Sequence, residues 1–109
     1  MNRIVYDMCT QTASEGKTIT YSDVGSRIGL DMELPPDRDQ IRDLLDEVSR
    51  HEHEQGRPLL SVVVVHAGDD NMPGQGFFKL AQVLGKFDGV DKTAFFVEEL
   101  KAAHAAWKR

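Results

Sequence analysis

The strongest constraint on how this chain can fold is the order in which helix, strand and turn signals follow one another through its middle. The first of them is a short helix predicted from Thr20 to Leu30. Thr20 and Asp23 have the three-residue spacing of a capping pair, whose side chains satisfy free backbone amides at a helix start. Gly29 can adopt the left-handed conformation that ends a helix. The chain is therefore expected to turn after Leu30.

A longer helix is predicted next, beginning at Asp37 and closed by Gly56. The proline pair at positions 35–36 disfavours helix immediately before it, which marks residues 31–36 as a connector. Asp37 can cap the helix, with Gln40 at the third position. Apolar residues at helical spacing predict one buried face, made of Ile41, Leu44, Leu45 and Val48.

A strand and a turn are predicted after this helix. The apolar run from Leu59 to Val65 is rich in β-branched residues and predicts a strand covered on both sides. Met72-Pro73-Gly74 has the composition of a turn, so a hairpin is expected from Ala67 to Gln75. Further helices are predicted at residues 3–14, near residues 77–84 and from Asp91. This order indicates an α+β fold, a winged helix-turn-helix-like domain with extra N- and C-terminal helices.

Length and cysteine content limit the classes of function. The 109 residues suit one domain, so a single winged-helix-like domain is expected over residues 1–109. Without an apolar run near the roughly 20 residues that cross a bilayer, or a secretory signal pattern, no membrane partner and a cytoplasmic location are expected. Cys9 is the only cysteine, which excludes a disulfide or a thiolate zinc site within one chain. Its apolar neighbours indicate a core thiol rather than a nucleophile.

The negative charge of the chain is concentrated in one segment. The formal net charge is -5, and residues 31–54 contain nine carboxylate side chains against three arginines. This segment includes the longer helix, which is the element that a winged-helix protein would present to DNA. Because phosphate binding depends on Lys and Arg, an acidic helix opposes nucleic-acid binding and favours a basic protein partner.

The segment Ile19 to Gly25, with Arg42 and the apolar run followed by its glycine-rich turn, resembles the DNA-binding domain of the alkylguanine-DNA alkyltransferases and the alkyltransferase-like proteins. The resemblance covers roughly residues 17 to 84. In that family, a tyrosine that opens the first helix of the motif helps to rotate the target nucleotide, and Tyr21 matches it. An arginine early in the recognition helix fills the vacated base stack, and Arg42 stands near that place. The resemblance implies binding to nucleic acid.

The chain departs from this family where the family has its chemistry. The family strand carries a Pro-Cys-His-Arg motif whose cysteine accepts the alkyl group, whereas the comparable stretch here runs from Ser61 to Val65. Without a thiol there, alkyl transfer is excluded and no enzymatic activity is expected. Alkyltransferase-like proteins also lack the acceptor cysteine and still bind damaged DNA. Asp43, Asp46 and Glu47, however, stand where the family has small residues that let the helix lie close in the groove.

Two hypotheses for function follow from these patterns. In the first, the chain is a non-catalytic winged-helix-type module for DNA or another nucleic acid, with the Ala67–Gln75 hairpin as its wing. The nucleic-acid-binding residues would be Tyr21, Ser22, Arg27, Arg38 and Arg42. In the second, the chain is an adaptor or inhibitor that binds a basic protein through residues 31–54. The contacts to that partner would come from Asp39, Asp43, Asp46 and Glu47.

The histidines do not have the spacing of a metal site. His51 and His53, at i and i+2, diverge by roughly 200° around a helix, whereas zinc-binding helices use i and i+4. Residues 51–54 are therefore interpreted as a solvated helix end, and His66 and His104 are given structural roles. No metal, cofactor or catalytic residue is predicted, and the sequence leaves the oligomeric state open.

Overall fold

Helices dominate the structure, a computed structural model that describes residues 1–68 and 70–108. Its elements are α1 (Arg3–Ser14), β1 (Ile19–Thr20), α2 (Tyr21–Arg27), α3 (Pro35–Glu54), a 3₁₀ turn (Leu60–Val63), β2 (Val64–Val65), α4 (Gln75–Val83) and α5 (Lys92–Trp107). The two strands form a parallel sheet in which Ile19 pairs with Val64 and Thr20 with Val65. At this coarse level, the predicted α+β class is confirmed.

The helix ends follow the local signals in the sequence. Thr20 is the N-cap of α2, and its hydroxyl oxygen accepts a hydrogen bond from the Asp23 amide at 3.1 Å. Gly29 lies just beyond the helix at φ +76°, in the left-handed conformation expected of a helix stop. Asp91 caps α5 in the same way, through a bond from the Ala94 amide. Because capping satisfies amides within a few residues, these boundaries are fixed locally.

The predicted start of the long helix at Asp37 is wrong by two residues. Helix α3 begins at Pro35, after Leu34 as N-cap. Proline is well suited to the first helical position, where no partner is needed for the missing N–H and its fixed φ is already helical. Asp37 instead lies inside the first turn, and its carboxylate accepts a hydrogen bond from the Asp31 amide at 2.8 Å. It therefore holds the α2–α3 connector against the helix.

The strand predicted over Leu59 to Val65 is also largely wrong. Only Val64 and Val65 are in a strand, and Leu60–Val63 form the 3₁₀ turn. Every residue of this run is buried, and α1, α3 and α5 all contact the 3₁₀ turn. An apolar run surrounded on all sides has no periodicity that distinguishes a strand from another buried conformation. The segment is the centre of the core rather than the edge of a larger sheet.

The predicted hairpin from Ala67 to Gln75 is not a β-hairpin in the part that the structure describes; Asp69 lies outside it. The stretches 67–68 and 70–74 contain no strand, and Gln75 begins α4. The His66 amide donates to the Met72 carbonyl at 2.9 Å, which closes the loop at its base. Because the described stretches of this loop contain no strand to pair with β2, the β-wing of the prediction is not confirmed.

A buried carboxylate ties the end of α3 to the rest of the molecule. Glu52 is completely inaccessible to solvent and receives two hydrogen bonds from Arg57, at 2.8 and 2.9 Å. The hydroxyl of Tyr6 on α1 donates a third at 3.0 Å. The interpretation of residues 51–54 as a solvated helix end is therefore wrong for Glu52.

The predicted core role of Cys9 is confirmed. The thiol is fully buried, and burial raises its pKa to about 12 because the charged thiolate is disfavoured away from water. It packs in the main cluster with neighbours such as Val5 and Ala13. Within the described parts of the chain, none of the helices is both long and apolar enough to cross a bilayer.

Candidate functional site

A cavity of about 300 Å³ lies between α2, α3 and the start of α4, and we call it the α2–α3 cavity. Its floor is made of side chains that are at most 5% exposed: Ile41, Leu45, Ser61 and Phe77. Polar groups stand around this floor, among them Tyr21, Arg38, Arg42, Asp46 and His66. A concave apolar surface with a few polar groups at its edge is the usual form of a ligand site.

Helix α3 supplies one whole wall of the cavity. Its lining residues lie at i, i+3, i+4, i+7 and i+8, which places them on one helical face: Arg38, Ile41, Arg42, Leu45 and Asp46. The apolar members of this face form the floor, and its charged members stand at the edge. The same amphipathic pattern that buries α3 therefore also builds the cavity.

Tyr21 forms the opposite wall, at the first position of α2. Its ring lies against the imidazole of His66, with 4.7 Å between ring centroids. Its hydroxyl oxygen accepts a hydrogen bond from the Gly74 amide at 2.8 Å. The pKa of Tyr21 is raised, first because the ring is partly buried and also because Asp46 is negatively charged, while the bond from Gly74 opposes the shift. Tyr21 is therefore a neutral, fixed aromatic surface.

Two glycines allow the loop before α4 to approach these side chains closely. A Cβ on Gly74 would lie 3.2 Å from Nε2 of His66 and 3.3 Å from the hydroxyl of Tyr21. A Cβ on Gly76 would lie 3.0 Å from Cδ of Arg42. All three distances are shorter than ordinary van der Waals contact, so a larger residue at either position would push the wall of the cavity outward.

Arg42 lies at the edge of the cavity with an exposed, partly neutralised guanidinium. The side chain is 53% exposed, and its nitrogens lie 3.3 Å from a carboxylate oxygen of Asp39 and 3.6 Å from one of Asp43. Ion pairs between exposed side chains contribute about 0–1 kcal/mol. Arg42 is thus free to exchange these partners for another anion at small cost.

Asp46 belongs to two surfaces at once. It lines the α2–α3 cavity and also a shallow depression on the outer side of α3, which we call the acidic depression: Asp43, Asp46, Glu47, Arg50, His51 and Glu54. Burial raises the pKa of Asp46, with Arg50 opposing and Asp43 reinforcing the shift. The surfaces of the two functional hypotheses therefore meet at this carboxylate.

The structure brings most of the predicted nucleic-acid residues together. Tyr21, Ser22, Arg38 and Arg42 all line the α2–α3 cavity. Arg27 does not; it is exposed in the last turn of α2. Of the residues predicted to bind a basic protein, Asp39 is paired with Arg42, while the other three lie in the acidic depression.

The sequence does not identify two of the cavity residues, His66 and Ser61, as members of a site. His66, for which a structural role is predicted, is exposed and lies against the ring of Tyr21. Ser61, which the sequence marks only as the residue before a valine run, is a buried polar group in the floor of the cavity. A serine that interrupts an otherwise apolar run was the available signal, because a buried hydroxyl needs a partner.

Comparison with known proteins leaves the resemblance to the alkyltransferases a prediction, since no family model, curated protein or solved structure matches the chain. No group of three or more His, Cys, Asp or Glu side chains in the described ranges could hold a metal ion. The described residues form a cavity with an aromatic wall, an apolar floor and arginines at its edge.

Proposed function

We propose that this chain is a non-catalytic winged-helix-type module that binds nucleic acid and accommodates an unstacked base in the α2–α3 cavity. The observation that carries the proposal is that Tyr21 and Arg42, from two different helices, line one cavity of about 300 Å³ with an apolar floor. Proteins that bind a flipped base hold it between aromatic or apolar side chains in a closely fitting pocket. The side chains here supply those surfaces.

Charge favours a modest contribution from the phosphates. The arginines available near the cavity are Arg38 and Arg42, with Arg27 further along α2. Each phosphate contact on duplex DNA contributes about -0.9 to the slope of log affinity against log salt. With two or three contacts, we expect a slope of roughly -2 to -3, well short of proteins with an extended basic surface. The base in the cavity would then supply much of the selectivity.

The test compares two duplexes that differ at one position. In the first, one base stands opposite an abasic site and leaves the stack easily; in the second, the same base is fully paired. Fluorescence anisotropy should show tighter binding to the first duplex. Arg42→Ala should reduce that preference about tenfold, which is about 1.4 kcal/mol, and should lower the salt slope by about 1.

Arg3→Ala provides the matched control. Arg3 is an exposed arginine on α1 that pairs with Asp7 and lies over the ring of Tyr6, outside the cavity, and its removal changes the net charge by the same amount. Its variant should keep the preference for the unpaired base. Equal binding of the two duplexes by the wild-type protein, or no complex at low ionic strength, would remove the proposal.

A second function is supported by a different observation, the clustering of carboxylates in the acidic depression. Asp43 and Glu47 lie one turn apart on the outer side of α3 and line it with Asp46. An adaptor or inhibitor could use this surface to steer a basic protein onto α3. The double variant Asp43→Lys and Glu47→Lys separates the two functions. It should abolish capture of a basic protein under the second proposal and strengthen DNA binding under the first.

A further inference from the structure

The floor of the α2–α3 cavity contains a pair of buried hydroxyl groups. Ser61 is 5% exposed and lines the cavity; Ser49, from α3 behind it, is completely buried. Their hydroxyl oxygens are 2.6 Å apart. The backbone amide of Ser61 also donates to the Ser49 hydroxyl oxygen, at 3.0 Å. The other floor residues, Ile41, Leu45 and Phe77, offer a ligand only hydrocarbon.

The direction of the bond between the two hydroxyls follows from counting donors. A serine hydroxyl has one proton to donate and two lone pairs to accept with. The oxygen of Ser49 already accepts from the Ser61 amide, and within the described chain its only other hydrogen-bonding neighbour is the Ser61 hydroxyl. By contrast, Thr12 on α1 donates to the carbonyl of Met8 one turn back. Ser49 is completely buried whereas Ser61 lines the cavity, so the arrangement that leaves no fully enclosed proton unbonded has Ser49 donating to Ser61.

The Ser61 hydroxyl is then able to donate its proton to a ligand in the cavity. The Tyr21 hydroxyl is in a similar state, because it accepts from the Gly74 amide and donates to no group in the described part of the chain. Two residues that line the cavity therefore carry a hydroxyl proton with no acceptor in the described part of the chain. A ligand edge that carries an acceptor atom would be bonded there, whereas an N–H₂ edge could only donate to a remaining lone pair of these oxygens and would leave the hydroxyl protons without an acceptor.

We propose that the Ser49–Ser61 pair makes the α2–α3 cavity selective for a ring whose inserted edge carries a carbonyl oxygen, such as hypoxanthine or uracil, over its amino counterpart, adenine or cytosine. This inference rests on the proposed binding of an unstacked base and adds the chemical class of that base. Ser61 is the residue that sets the selectivity, and Ser49 is the positioning residue that fixes its proton.

Asp46 supplies the opposing preference. Its carboxylate is an acceptor, and it stands at the edge of the same cavity with Arg42 and Arg38 on its own helix, and with Tyr21 and His66 across from it. A base held mainly by Asp46 would present an amino group. A preference for carbonyl-bearing bases would therefore indicate that Ser61 in the floor sets the selectivity. A preference for amino-bearing bases would indicate that Asp46 at the edge sets it.

The experiment uses four otherwise identical duplexes with hypoxanthine, adenine, uracil or cytosine opposite an abasic site. Dissociation constants for the wild-type protein should favour hypoxanthine over adenine and uracil over cytosine, each by about tenfold, as one hydrogen bond contributes. In Ser61→Ala, both ratios should fall to within about twofold of unity. Ser26→Ala removes an exposed serine of α2 outside the cavity and should leave both ratios unchanged.

Ser61→Ala leaves the Ser49 hydroxyl without its acceptor, so the double variant Ser49→Ala and Ser61→Ala is measured as well. Circular dichroism establishes the fold of each protein, and the double variant should lose the carbonyl preference in the same way. Binding to none of the four duplexes by the wild-type protein would overturn the proposed function and this inference together. Binding without a carbonyl preference, or with a preference that survives in both variants, would overturn this inference alone.

Discussion

Replacement of Glu52 by Gln should destabilise the protein strongly, because Glu52 is the buried carboxylate that ties the end of α3 to the rest of the molecule. The carboxylate is inaccessible to solvent and holds Arg57 through two hydrogen bonds and Tyr6 through a third. Glutamine has the same shape, but it carries no charge and turns an N–H₂ group toward a guanidinium that can only donate. The pair is thereby broken without a cavity being created.

The expected size follows from the exposure of the partner that is left behind. Removing one member of a buried ion pair costs about 3–5 kcal/mol because the other charge remains unpaired. Arg57 retains 39% exposure and can turn toward water, which places the loss near the lower limit, about 3 kcal/mol. For a domain of this length, that loss lowers the melting temperature by roughly 12 °C or more.

Urea unfolding followed by circular dichroism measures the change in free energy. Glu54→Gln, an exposed glutamate two residues further along the same helix, is the matched control and should stay within about 0.5 kcal/mol of the wild type. If Glu52→Gln were as stable as that control, Glu52 would not be the anchor of α3, and the packing of this helix against α1 would need another explanation.

Three further predictions address the cavity and the core. Gly76→Ala should stabilise the fold by up to about 1 kcal/mol, since Ala is the better helix former, yet weaken binding to the unpaired-base duplex, since its Cβ displaces Arg42; a variant that binds as tightly as the wild type would contradict this. The raised pKa of Asp46 means that the folded state holds its proton more tightly, so wild-type stability falls as pH rises from the ordinary value of 3.8. Asp46→Asn should remove that loss and gain stability relative to the wild type between pH 3 and 7, as urea titrations at about those two values will show. Native Cys9 should resist iodoacetamide and react only after unfolding, because it is buried with a pKa of about 12; labelling of the folded protein, followed by mass spectrometry, would exclude its core position.

The start of α2 and the glycine stop that follows it could be predicted from sequence because their causes are local. Thr20 needs only the amide of Asp23, and Gly29 needs only its own backbone freedom. The strand at Leu59 to Val65 could not be predicted in this way, because an apolar run enclosed by helices carries no periodicity. Its conformation is decided by partners distant in sequence, such as the Ser49 hydroxyl oxygen, which accepts a hydrogen bond from the Ser61 amide.

In the candidate site, too, some residues could be predicted from sequence and others are placed only by tertiary contacts. Tyr21 and Arg42 were selected from the order of elements and the family resemblance, and the structure places them around one cavity. Ser61 and His66 acquire their positions from contacts with α3 and α2, from residues 12 and 45 positions earlier in the chain. Sequence spacing carries no information on such contacts, and only their tertiary partners reveal them.

The most direct test of the central claim is a nuclear magnetic resonance titration of the labelled protein with the duplex that carries a base opposite an abasic site. Binding of the base in the α2–α3 cavity should place the largest shift changes on the cavity floor, at Leu45, Ser61 and Phe77, with smaller changes at His51 and Glu54 in the acidic depression. Shift changes confined to the acidic depression or to α5, with Leu45 and Phe77 unmoved at saturation, would contradict it.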